Sequence, residues 1–152
     1  MGEIIYFLKM KLPKGSGWLA TPASRWVLGI FFTVAGICHF IWPKNYLPIM
    51  PPWLPWHLPL VYLSGVAESA GGLGVLIPKF RKLSGWWLIA TLIAIYPANI
   101  QIAIDGLIVN GKPVPQWILN FRLLLQFGMI WWVWVSCIHQ PEPNQPRRTA
   151  VI

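Results

Sequence analysis

Long apolar runs alternate with short polar segments along this chain, and the alternation occurs four times. Each run is close to the roughly 20 residues that a helix needs to cross a hydrocarbon core of about 30 Å. None shows the strict alternation of apolar and polar positions that marks a barrel strand, and the segments between them are rich in Pro, Gly and charge, which interrupt helices. The pattern predicts four transmembrane helices, at about residues 24–42, 58–78, 83–105 and 116–138.

Short connections between the runs make successive helices antiparallel neighbours, so we expect an all-α membrane protein built as an antiparallel four-helix bundle. We expect a cytoplasmic or interfacial N-terminal segment at residues 1–23, a transmembrane domain at 24–138 and a disordered cytoplasmic tail at 139–152. Within the first segment, residues 3–12 carry the apolar and basic side chains of a short interfacial helix. The three prolines of the tail oppose regular structure.

Composition and charge agree with membrane insertion and indicate an orientation. Hydrophobic residues make up 56% of the chain and charged residues 11%, whereas soluble domains carry about a quarter charged residues. The net charge is +8, but the basic side chains cluster before the first span, between the second and third, and after the fourth. The positive-inside rule then places both termini in the cytoplasm. The basic excess is therefore an orientation signal, and nucleic acid is excluded as a partner.

Ionisable and amide side chains lie within the predicted spans, where such groups are expensive and often functional. The ionisable ones are His39, Glu68, Asp105 and Arg122, and the amides are Asn99, Gln101, Asn120 and Gln126. At a rise of about 1.5 Å per residue they all fall in the outer half or near the midplane, whereas the inner half of each span is almost entirely apolar or aromatic. This asymmetry predicts a blind polar cavity that opens outward rather than a pore. The candidate ligand-binding residues are His39, Glu68, Asn99, Arg122 and Gln126.

A structural role for the same residues is an equally open hypothesis. Glu68 and Arg122 could form a buried ion pair that fixes the register of two helices, with the amides satisfying the remaining donors. His39 could hydrogen-bond a loop carbonyl. The Pro- and Trp-rich loop at residues 43–57 likewise has two interpretations, a lid over the cavity mouth or an interfacial anchor, and its aromatic content slightly favours the anchor.

The sequence gives little support for a disulfide or for a metal site. Cys38 and Cys137 fall near opposite ends of the predicted bundle, roughly 25 Å apart in depth, and a disulfide needs Cα atoms within about 7 Å. No Cys-x-x-Cys motif occurs. No pair of His or Cys residues has the spacing of a metal site, so no metal ligand is predicted.

Six short motifs follow one another along the chain, at residues 35–40 (AGICHF), 50–55 (MPPWLP), 64–68 (SGVAE), 71–74 (GGLG), 77–78 (IP) and 96–100 (YPANI). Their order resembles the DoxX family of small bacterial four-helix membrane proteins, over about residues 25–135. The fourth span of that family typically carries an Arg and a Gln separated by three residues, as Arg122 and Gln126 are here, although the Pro often found between them is missing. The resemblance implies the bacterial cytoplasmic (inner) membrane as the location.

The resemblance also implies a redox context, because relatives include a subunit of a thiosulfate:quinone oxidoreductase and a membrane subunit that assembles with a thiol-oxidising partner. The first hypothesis is a membrane subunit of a thiol, sulfur or quinone-linked redox system, with a quinone as candidate cofactor, a redox protein as candidate partner and an oligomer as a possible assembly. The second is a non-catalytic scaffold or anchor for a partner protein. A small-solute carrier is disfavoured by the apolar inner half.

Overall fold

The computed structural model describes residues 17–109 and 111–139, and the protein is mostly helical (77%). Within the described residues, four helices are each long and apolar enough to span a membrane, as the hydropathy pattern predicts. The interfacial helix expected at residues 3–12 and the tail expected at 139–152, apart from His139, lie outside the described residues. The helices are α1 (Pro22–Ile41), α2 (His57–Leu76), α3 (Arg81–Asp105) and α4 (Gln116–Val133), the last continued by a π-helical turn (Trp134–Ile138).

The helix ends, with the π-helical turn counted as the end of the last helix, lie within two residues of the predicted limits. Local side-chain and backbone contacts determine where each helix begins and ends. Thr21 caps α1, since its hydroxyl accepts a hydrogen bond from the backbone N–H of Ser24 at 3.2 Å. Pro22 fills the first helical position, where no backbone donor is needed. Helix α3 ends at Asp105 and is followed by Gly106 at a φ of 80°, a conformation that glycine adopts without steric strain.

Helices α1 and α2 pack most closely, through glycines on both. Gly29 lies against Gly72 and Gly36 against Gly65, so residue numbers rise on one helix as they fall on the other, and the pair is antiparallel. A Cβ atom on Gly72 would lie 2.6 Å from the carbonyl oxygen of Gly29. Only a residue without a side chain permits this approach of two backbones.

The other neighbours in the chain are antiparallel as well. Between α2 and α3, Gly71 packs against Leu88, and Trp87 Nε1 donates to the carbonyl oxygen of Ala67 at 3.0 Å. Between α3 and α4, Gly85 near the start of α3 lies against Cys137 near the end of the last helix. The described helices therefore form a bundle with the packing order α1, α2, α3, α4.

The first and last helices make extended contact at one end only. There the hydroxyls of Ser24 and Ser136 lie 3.2 Å apart, and Trp132 Nε1 donates to Ser24 Oγ at 2.7 Å. Ser136 Oγ also donates to the carbonyl oxygen of Leu19 at 2.7 Å. We call Ser24, Trp132 and Ser136 the clasp, and the end of the bundle that contains it the terminal end.

The opposite end, here the loop end, carries the two longer connections. Residues 42–56 contain two 3-10 turns, Pro43–Asn45 and Leu47–Ile49, which pack against the bundle helices. A short antiparallel hairpin pairs Ile108–Val109 with Lys112–Pro113 between α3 and α4. Of these two connections, the first contributes Tyr46, Ile49 and Met50 to a cavity within the bundle.

Candidate functional site

A cavity of about 330 Å³ lies among the four helices on the side of the loop end. All five residues that the sequence singled out line it: His39 from α1, Glu68 from α2, Asn99 from α3, and Arg122 and Gln126 from α4. Its size lies at the lower end of the roughly 300–1,000 Å³ of small-molecule pockets. Each helix thus contributes at least one polar side chain to a single cavity in an otherwise apolar bundle.

Three of these side chains form one hydrogen-bonded chain between α3 and α4. Arg122 Nη2 donates to Asn99 Oδ1 at 3.1 Å, and Asn99 Nδ2 donates to Gln126 Oε1 at 2.6 Å. Gln126 Nε2 in turn donates to the carbonyl oxygen of Leu92, and Gln126 is buried. The chain fixes the orientation of both amides and holds the guanidinium group at the wall of the cavity.

Glu68 stands apart from this chain. Its side chain is 7% exposed, and within residues 17–109 and 111–139 it makes no hydrogen bond or ion pair. The ion pair that the sequence allowed between Glu68 and Arg122 is absent from the described structure. Arg122 instead donates a hydrogen bond to Asn99. Asn99 belongs to α3, and α3 lies between α2 and α4 in the packing order. The cavity therefore has a carboxyl group on one wall and a guanidinium group on another.

His39 and Tyr46 form the wall of the cavity nearest the loop. Their rings stack with centroids 3.8 Å apart, and His39 Nδ1 donates to the carbonyl oxygen of Ala35 at 3.0 Å. The bond is thus to the preceding turn of the same helix, not to a loop carbonyl. Burial raises the pKa of the Tyr46 phenol, with further contributions from Cys38 and Glu68. Tyr46 therefore remains a neutral hydroxyl at physiological pH.

The loop at residues 42–56 has features of both a lid and an anchor. Ile49 and Met50 line the cavity together with Tyr46, and His57 Nε2 donates to the carbonyl oxygen of Pro51 at 3.0 Å, which ties the loop to the start of α2. Trp53 and Trp56 do not line the cavity and are 64% and 78% exposed. One face of the loop covers the cavity and the other presents aromatic rings outward.

Sequence reasoning missed Tyr46 and the clasp. Tyr46 lies in a loop, and helical spacing does not predict that this loop folds back onto His39. The position of Tyr46 only seven residues after His39 was a possible signal. The clasp depends on Ser24 and Ser136, which are 112 residues apart and weakly polar. Among the described residues, no group of three or more His, Cys, Asp or Glu side chains could hold a metal ion, and Cys38 and Cys137 are free thiols.

Comparison with known proteins identifies a family for most of the chain. A family model described as a domain of unknown function, DUF8561, matches residues 28–137. Those residues begin within α1 and end within the π-helical turn after α4, so they include all five polar residues of the cavity. No curated protein and no solved structure matches the chain.

Proposed function

Because the chain belongs to the DUF8561 family, whose description names no activity, we propose a function from the cavity: this protein is a membrane subunit of a redox system, and the cavity binds a quinone or a small oxidised sulfur species. The observation that carries the proposal is the convergence of His39, Glu68, Asn99, Arg122 and Gln126 from four helices on one cavity. The resemblance to the DoxX family supports the redox context.

We also propose that the bundle spans the bacterial inner membrane with both termini in the cytoplasm and the loop end outside. The outward-facing surface of the helices supports insertion, since Leu63, Ile104 and Leu124 are all more than half exposed. The distribution of charge supports the orientation. Lys79 and Lys82 are exposed at the terminal end, next to the clasp.

The polar groups of the cavity suit a ligand that carries oxygen atoms at its head. A guanidinium group has five N–H donors, and in the described structure one of those of Arg122 is used on Asn99. The free donors match the carbonyl oxygens of a quinone or the oxygens of a sulfur oxyanion. Glu68 adds an ionisable group that can exchange a proton with a bound ligand. We assign this chain the binding and orientation of the ligand, and a partner protein would supply electrons.

Substitution of Glu68 tests the proposal. We expect purified protein in lipid nanodiscs to bind decylubiquinone or thiosulfate by isothermal titration calorimetry, and Glu68→Gln to weaken that binding by about tenfold or more, or about 1.4 kcal/mol. Asp105→Asn is the matched control, because Asp105 is exposed at the end of α3 and accepts a hydrogen bond from Gln101. Asp105→Asn should bind as the wild type does.

Two results would contradict the proposal. One is undiminished binding by a folded Glu68→Gln variant. The other is the failure of the wild-type protein to bind either ligand.

A scaffold that anchors a partner protein is the second candidate, favoured by the exposed Lys79 and Lys82 at the terminal end. Arg81, the first residue of α3, donates through Nε to the carbonyl oxygen of Val75 at 3.3 Å and so has a structural role. The test is therefore Lys79→Ala combined with Lys82→Ala, with Arg81 retained. Loss of a co-purifying protein from this variant, with unchanged ligand binding, would establish the scaffold role.

A further inference from the structure

We infer that the ligand reaches the cavity sideways from the bilayer, through an opening between α1 and α4, and is a lipid-soluble molecule with a polar head and an apolar chain. This inference rests on the proposed function and narrows its ligand. It selects an amphiphile over a water-soluble oxyanion. The opening is framed by Phe31 of α1 and Leu125 of α4.

The packing order of the helices leaves one flank of the bundle open. Each helix packs along the next one in the chain, but the first and the last make extended contact only at the clasp. The cavity lies farther from the terminal end, where the two helices have diverged, and both contribute to its wall. A gap between α1 and α4 is the geometric result.

The exposure of the residues around the cavity identifies where it opens. Phe31 is 50% exposed and Leu125 is 51% exposed. In the described part of the chain, every other residue that lines the cavity is buried or half-buried. The two exposed members come from the two helices that fail to pack together, and both are large and apolar. The cavity therefore meets the outer surface of the bundle between these two side chains.

The depth of the opening favours a lipid-soluble ligand over a water-soluble one. Phe31 is the tenth of the 20 residues of α1, and Leu125 is the tenth of the 23 residues of the last span. At about 1.5 Å per residue, each lies about 14 Å from the start of its helix, close to the middle of a hydrocarbon core of about 30 Å. The loop residues Tyr46, Ile49 and Met50 cover the cavity at the loop end.

The polarity of the cavity matches the two parts of an amphiphile. His39, Asn99 and Arg122 lie toward the loop end, whereas Phe32 and Met129 lie deeper, toward the terminal end and beside the opening. A polar head would hydrogen-bond in the first region. An apolar chain attached to it would leave through the gap and continue along the apolar outer surface of α1 and α4.

Photolabelling tests the route. The probe is a ubiquinone headgroup whose apolar chain carries a diazirine close to the ring, used on the full chain in nanodiscs with and without excess decylubiquinone. We expect label that decylubiquinone displaces on peptides of α1 and α4 that contain Phe31 or Leu125. Leu125→Trp, which narrows the opening, should lower that labelling by about tenfold. Leu124→Trp is the control, because Leu124 is exposed but does not line the cavity.

Each other outcome overturns the inference in a recognisable way. Displaceable label confined to residues 42–56 would mean access from the loop end, and would leave the proposed function intact. Thiosulfate binding without displaceable label would mean a water-soluble ligand. No binding of any probe would overturn the proposed function as well. A dimer that Leu125→Trp converts to a monomer would show that a second copy fills the gap.

If Leu125→Trp does not fold, Phe31→Trp narrows the same opening from α1.

Discussion

At the scale of single residues, the cavity combines satisfied and unsatisfied polar groups. Asn99 and Gln126 are held by partners on both sides, and Arg122 is anchored by one of its donors. Glu68 makes no hydrogen bond or ion pair with the described residues. A fully paired set would indicate a structural network that fixes helix register. The carboxyl group of Glu68 faces the cavity without such a bond, and the proposed function assigns it to a bound ligand.

The hydrogen-bonded chain should contribute to stability independently of any ligand. Gln126→Leu removes its bonds to Asn99 and to the backbone of Leu92, so we expect the free energy of unfolding in detergent to fall by about 1 to 2 kcal/mol. Gln101→Leu is the control, since Gln101 bonds only to the exposed Asp105 in the described structure. Tryptophan fluorescence during thermal unfolding measures both. Equal midpoints for the two variants would show that the chain does not stabilise the bundle.

At the scale of elements, the α1–α2 pair is the most closely packed part of the bundle because glycines bring the two backbones together. Gly72→Ala places a Cβ atom 2.6 Å from the carbonyl oxygen of Gly29, and overpacking of this kind destabilises by about 1 to 3 kcal/mol. Gly128→Ala on α4 meets nothing within 4 Å and should be neutral or stabilising, because alanine favours a helix over glycine. Thermal unfolding of the two variants distinguishes them. A Gly72→Ala variant as stable as the wild type would contradict this interpretation of the glycines.

Much of the helical architecture was predictable from the sequence, because the length and hydropathy of a span are local properties. The joint position of Glu68, Asn99, Arg122 and Gln126 was also predictable, since the depth of each follows from its distance along a helix. What could not be predicted depends on contacts across the fold. The binding of Arg122 by Asn99 instead of Glu68, and the return of Tyr46 onto His39, require the helix order and the loop path.

At the scale of the whole molecule, the first and last helices of the described bundle contact each other at the terminal end and are separated near the loop end. The clasp joins the first and last helices at the terminal end, and the glycine contacts unite α1 with α2. On the α1–α4 flank near the loop end, the two helices make no extended contact with each other. The proposed entry of the ligand from the side makes use of that asymmetry.

The proposed orientation gives a prediction for the whole molecule. In a variant without Cys38 and Cys137, Asn45→Cys should react with a membrane-impermeant maleimide added to intact spheroplasts, because Asn45 is exposed at the loop end. Lys79→Cys, exposed at the terminal end, should react only after the membrane is permeabilised. The reverse pattern would place the termini and the clasp outside, and would refute the orientation inferred from charge.

Native mass spectrometry of the protein extracted in mild detergent from its own membrane tests the central claim most directly, because it reports bound small molecules, partner proteins and stoichiometry together. The cavity account predicts a lipid-soluble small molecule that co-purifies with the wild type and with Asp105→Asn and is lost from Glu68→Gln. A chain that carries no small molecule, or one that Glu68→Gln retains undiminished, would contradict it. A bound protein without a small molecule would instead identify the bundle as a scaffold and the polar residues as contacts between its helices.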